Sequence, residues 1–241
     1  MAKSELQIFR VSKTTKIAAT GLFAALSVLL TSVSQALGLN FPIVPYLQFD
    51  FGEVAILLAF FMFGPLPGVA ASVVEFLTLM VTGQNIPYGP LLKLVSVLSS
   101  LAGIWLGMAV TKNVMGKGNV KGIMGSGLAF GVLSRVGIMT IANYLLILLV
   151  AQYALGGIVG FVSAPFKLIG LTISSSNALS LILEFTALFN CLQLILVYVI
   201  AYIFARLPQL KQTTRTSKLV WFEAFANGRK TRNIEINDAK Q

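Results

Sequence analysis

Residues 17–49 read IAATGLFAALSVLLTSVSQALGLNFPIVPYLQF, without one charged side chain between Lys16 and Asp50. A helix needs about 20 apolar residues to cross roughly 30 Å of hydrocarbon at 1.5 Å per residue. The first part of the run supplies them, so a span is expected over about 17–38. It ends in Gly38-Leu39-Asn40-Phe41-Pro42-Ile43-Val44-Pro45, whose two prolines stop a helix.

The rest of the chain follows the same pattern. The run Val54–Val74 is broken by Gly64-Pro65-Leu66-Pro67-Gly68, a tight-turn signal that predicts a hairpin of a short span (51–63) and a second one (68–82). After the loop Gly83–Pro90, spans are expected over 91–111, 122–152 and 178–206, with the polar linker Lys112–Lys121 between the first two. Residues 153–177, rich in glycine and serine, read as a loop able to hold a short half-buried helix. The expectation is an all-α polytopic membrane protein of six transmembrane helices. It divides into a cytoplasmic N-terminus (1–16), a membrane domain (17–206) and a basic tail (207–241).

Composition agrees. Of 241 residues, 56% are hydrophobic and 11% are charged, too few charges to cover a soluble surface. The net charge is +10. Its placement gives orientation: Lys3, Arg10, Lys13 and Lys16 precede the first span, Lys112, Lys117 and Lys121 fall between the fourth and fifth, and eight more follow the sixth. An even span count puts all three groups on the cytoplasmic side of the cell membrane, with both termini inside. Topology and anionic lipid account for this charge, so nucleic acid need not be invoked. No cleavable signal peptide is expected, because the first apolar run is too long.

Histidine is absent and Cys191 is the single cysteine, which removes His-metal, imidazole and cysteine-cluster chemistry. No phosphate-binding GxxxxGK[ST], GxSxG or HExxH motif occurs, so neither a P-loop ATPase nor a common hydrolase is expected. No catalytic residues, metal site or cofactor are expected.

Polar groups at membrane depth are costly and face a cavity or a partner. Glu75, Lys93, Arg135 and Glu184 are such groups, open to either an outward-facing polar cavity or structural ion pairs. Thr78 and Thr82 share the face of Glu75. Asn143, Asn190 and Gln193 lie in the outer halves of two long spans, Asn190 and Gln193 on one face. Ser96, Ser100, Gly103 and Gly107 form a stripe suited to close helix packing, as do Thr20, Gly21, Ala24 and Ala25 in the first span. Trp221, Phe222 and Phe225 beside Lys218 suit a membrane surface or a disordered tail.

Several motifs taken together resemble the riboflavin-specific S components (RibU) of energy-coupling-factor (ECF) transporters. Val44-Pro45-Tyr46-Leu47-Gln48-Phe49-Asp50-Phe51-Gly52-Glu53-Val54 is similar to their first external loop, and Gly64-Pro65-Leu66-Pro67-Gly68 to their GPLAG hairpin. Gly83–Gly89 resembles their GG-I-P-V-G loop, Ala142-Asn143-Tyr144 their ANY, and Phe189-Asn190 with Gln193 their F-N-x-x-K. The resemblance implies six membrane helices that bind a vitamin from outside. It also implies docking, through small residues of the first helix, on an EcfT transmembrane subunit driven by two cytoplasmic ATPases. By resemblance, Leu47, Gln48, Phe49, Asp50, Gly89, Asn143, Asn190 and Gln193 contact the ligand, and Thr20, Gly21, Ala24 and Ala25 dock the partner.

Four positions depart from the family pattern. Gln48 and Gln193 stand for lysines, Pro90 for an asparagine, and Glu75 for a lysine common in the third helix, which adds Glu75 to the candidate site. Riboflavin is neutral, and amides can hydrogen-bond where lysines did. Thiamine, pantothenate or a queuosine precursor as ligand, and a self-sufficient secondary transporter, are the competing readings; no internal repeat supports the last.

Overall fold

The computed structural model describes residues 9–83, 86–115, 119–151, 155–174, 176–207, 220–227 and 231–234. Its membrane body is helical throughout. The first helix, α1 (Lys13–Ala36), starts at Ser12, whose hydroxyl accepts from Thr15 N–H at 3.0 Å and so satisfies an otherwise orphaned helix donor. At the far end the chain turns at Gly38, with φ +60°, a conformation that glycine adopts without penalty. The 37–51 loop then folds back on itself. Phe41 N–H donates to the Leu47 carbonyl at 2.7 Å and Phe49 N–H to that of Leu39 at 2.8 Å, with Asn40 and Gln48 paired antiparallel between them.

The hairpin follows as α2 (Gly52–Phe63) and α3 (Pro65–Thr82), hinged at Gly64 with φ +106°. Pro65 opens α3, where its missing N–H costs nothing. Every residue of α2 is buried. At 12 residues it is about 18 Å long, so it does not cross a bilayer alone. It is a central apolar post enclosed by its neighbours. Its first residue must be glycine-sized, because a Cβ on Gly52 would sit 2.7 Å from the Ser27 carbonyl of α1.

Next come α4 (Tyr88–Met115) and α5 (Val120–Leu146), packed along much of their length. The small residues explain the approach: a Cβ on Gly103 would meet the Phe130 carbonyl at 2.5 Å, and one on Gly107 the Ser126 carbonyl at 2.5 Å. A π-helical turn, Ile147–Ala151, ends α5. The glycine-rich segment beyond it forms α6 (Leu155–Leu168), and α7 (Ala178–Arg206) completes the bundle. Five of these helices (α1, α3, α4, α5 and α7) are long and apolar enough to cross a membrane, and α2 is the short sixth.

The tail departs from the sequence expectation. Helix α8 (Trp221–Ala226) is neither a surface anchor nor disordered; its aromatic side is buried against the bundle. Trp221 meets Phe60 edge-on with centroids 5.4 Å apart and lies over Gly64, and Phe222 packs on Phe61. Lys112 of α4 sits 3.9 Å above the ring of Phe225. Two short strands, β1 (Phe9–Ser12) and β2 (Thr231–Ile234), pair in parallel from Phe9 opposite Thr231 to Ser12 opposite Ile234. They tie the tail to the start of α1.

Candidate functional site

The end of the bundle opposite α8 holds a cavity of about 520 Å³. This volume lies within the roughly 300–1,000 Å³ of small-molecule sites. The 37–51 loop, the adjoining ends of α3 and α4, α5 and α7 line it.

The wall changes character with depth. Near the mouth are Tyr46, Leu47, Tyr88, Gly89, Leu146 and Ile147. Leu79, Met139 and Phe189 line the neck. Asp50, Glu53, Lys93, Ser96, Arg135 and Asn190 form the floor. The order follows from helix register: Arg135 lies eight residues before Asn143 on α5, about 12 Å deeper.

Two ionic groups make the floor. In the first, Lys93 Nζ lies 2.5 Å from Asp50 Oδ2 and 2.7 Å from Glu75 Oε1. It also donates to Thr31 Oγ1 at 2.7 Å, and the Thr31 hydroxyl is 2.9 Å from both carboxylates. Ser27 donates to Glu75 Oε1 at 2.5 Å. In the second, Arg135 grips Glu53 with both terminal nitrogens, at 2.5 and 2.9 Å, and donates from Nε to Asn190 Oδ1 at 3.0 Å. Paired, two-pronged geometry is what allows buried charges to persist. Carboxylates and cations together would hold a ligand's polar end by hydrogen bonds, while the apolar neck would take an apolar body.

The loop is fastened over this floor. Gln193 Nε2 donates to the Asp50 carbonyl at 2.7 Å, and Gln48 Nε2 to that of Ser34 at 3.0 Å. Phe49 packs against Phe189 of α7, centroids 5.1 Å apart, with Phe41 beside both.

Of the residues singled out from the sequence, Leu47, Gln48, Asp50, Gly89, Asn143, Asn190 and Gln193 line the cavity. Phe49 does not; it holds the loop from behind. Glu75 lies just beneath the wall, against Ser27, Thr31 and Lys93. Thr78 and Thr82 do not join it and hydrogen-bond to their own helix backbone. Glu184 is exposed. On α1, Gly21 and Ala25 are exposed beside Ile17, Leu22 and Leu29, Thr20 is half-buried, and Ala24 points into the core.

Glu53 was missed as a site residue. Its signal was the apolar run behind it: an acid opening a helix that is otherwise uncharged must have a buried partner. Ser96 and Ser100 belong to the stripe read as packing, yet Ser96 lines the floor and Ser100 lies 3.5 Å from Arg135.

Similarity to a solved structure bears on the arrangement. The chain superposes on the S component of a bacterial ECF transporter with a TM-score of 0.60, at 21% sequence identity, over 85% of this chain and 99% of that one. The fold is that of an ECF S component. No protein-family model matches the chain, and no curated protein does.

Proposed function

We propose that this chain is the membrane-embedded substrate-binding subunit of an ECF-type uptake transporter, and that its ligand is riboflavin. The observation carrying the proposal is the cavity: about 520 Å³, at one end of an S-component fold, lined by the first loop, with a polar floor under an apolar neck. An elongated molecule with an apolar ring system and a hydrogen-bonding end fits that gradient. Phe189, Tyr46 and Tyr88 would flank the ring, and Asn143, Gln48 and the floor would meet the polar groups.

The cavity end faces outside. Lys13, Lys16, Lys112, Lys121 and Arg206 all lie at the opposite end, as the positive-inside rule requires of a cytoplasmic face. Both termini are then cytoplasmic, in the cell membrane. The exposed Gly21 and Ala25 stripe of α1 would let the EcfT subunit approach closely, with two ATPases supplying the energy. The chain binds and delivers; it performs no chemistry and holds no cofactor of its own.

The charge balance favours a second reading. Around the floor, among the described residues, Asp50, Glu53 and Glu75 face Lys93 and Arg135, an excess of one carboxylate that suits a cationic vitamin such as thiamine. Parallel titrations of purified protein with riboflavin and thiamine separate the two. Quenching of flavin fluorescence at submicromolar riboflavin supports the first; saturable binding of thiamine alone replaces it.

A further inference from the structure

Asn190 and Gln193, which the family resemblance assigns to the ligand, have their amides engaged by the protein. Asn190 accepts from Arg135 Nε at 3.0 Å and donates to the Thr186 carbonyl at 2.9 Å. Gln193 donates to the Asp50 carbonyl at 2.7 Å and accepts from Asp50 N–H at 3.4 Å.

Arg135 is in a different position. It lines the cavity floor and is only 2% exposed. A guanidinium carries five N–H donors in a rigid plane. Glu53 takes one from each terminal nitrogen, Asn190 takes that of Nε, and Ser100 Oγ lies 3.5 Å from Nη1. The second N–H of Nη2 has no protein acceptor among the described residues. The plane is held from two sides, so this donor is fixed in direction before any ligand arrives.

Glu53 also sets the sign of what can be accepted. It already balances the guanidinium, and Asp50 is a second carboxylate on the same floor. An anionic ligand group would meet both carboxylates with no unpaired cation on the floor among the described residues, whereas a carbonyl or hydroxyl oxygen adds no charge.

We propose that Arg135 is the specificity-determining residue of the floor, reading an uncharged carbonyl or hydroxyl oxygen of the ligand, and that Asn190 acts through it as a positioning residue. This rests on the substrate-binding reading of the cavity.

A double-mutant cycle on full-length purified protein tests it, with riboflavin as probe. Arg135→Lys keeps the charge and loses the fork; binding weakens at least tenfold. Asn190→Ala weakens binding by a smaller factor. The double variant binds no more weakly than Arg135→Lys alone, because Asn190 has nothing left to position. Additive losses would make Asn190 a direct ligand contact and overturn the positioning role. Unchanged affinity in Arg135→Lys would overturn the proposal as a whole. Should Arg135→Lys fail to fold, Glu53→Gln/Arg135→Gln leaves no lone buried charge, and it must show the same tenfold loss. If the wild-type chain binds thiamine or pantothenate instead, the riboflavin assignment fails and the cycle on that ligand decides the role of Arg135. Binding of none of the three by folded protein contradicts both.

Discussion

Gln193 of α7 holds the backbone of Asp50 by both of its amide atoms, donating at 2.7 Å and accepting at 3.4 Å. Residues 143 apart in sequence are thereby joined at the point where the first loop enters α2. The loop covering the cavity is fixed at its base to the helix that forms the opposite wall. Gln193→Ala should loosen this clamp. Each lost hydrogen bond is worth about 0.5–1.5 kcal/mol. Ligand dissociation should accelerate by about tenfold, read from the recovery of riboflavin fluorescence after dilution; an unchanged rate would separate Gln193 from loop closure.

Lys93 joins α4 to the loop through Asp50 and to α3 through Glu75. Lys93→Met leaves two carboxylates facing each other without a cation. Removing one partner of a buried pair costs about 3–5 kcal/mol. A large fall in the thermal unfolding midpoint in detergent is expected, recovered in part by adding Glu75→Gln.

The contact between α4 and α5 depends on the absence of side chains at Gly103 and Gly107 on one helix and Gly131 on the other. Gly107→Val would drive a branched side chain into the Ser126 carbonyl, 2.5 Å from where its Cβ would lie. Overpacking of this kind costs about 1–3 kcal/mol. The variant should unfold at lower temperature and bind ligand more weakly, since Arg135, Met139 and Asn143 all ride on α5.

Helix α8 is part of the core. Phe222 is fully buried, and its truncation to alanine should cost about 3–5 kcal/mol in unfolding experiments. A loosely attached tail would tolerate the change.

The fold was legible in the sequence because bilayer thickness sets helix length. The uncharged run after Lys16, the Gly64–Gly68 turn and the lysine-rich linker each marked a boundary that lies within a few residues of the observed helix ends. Local pattern failed where tertiary contact decides. Nothing in Trp221–Ala226 shows that its aromatic side is buried on Phe60 and Phe61, for the same residues would suit a lipid surface. The site was half legible. Asn143, Asn190 and Gln193 stood out as amides in apolar helices. The partners they meet are backbone carbonyls and an N–H that lie on other turns or other elements, and a guanidinium that donates to Asn190, and no spacing rule identifies them. Glu53 escaped notice because it opens its helix, where an acid is ordinary.

Docking should be separable from binding. Gly21→Leu and Ala25→Leu enlarge the exposed stripe of α1 far from the cavity. They should abolish co-purification with an EcfT subunit and leave riboflavin affinity unchanged. Retention of the complex would move the docking face elsewhere.

The most direct test of the account is a riboflavin titration of the purified wild-type chain, followed by quenching of flavin fluorescence. The account predicts saturable one-to-one binding in the submicromolar range, with protein that is yellow as isolated from flavin-containing medium. Folded protein that leaves flavin fluorescence unchanged at every concentration would contradict it.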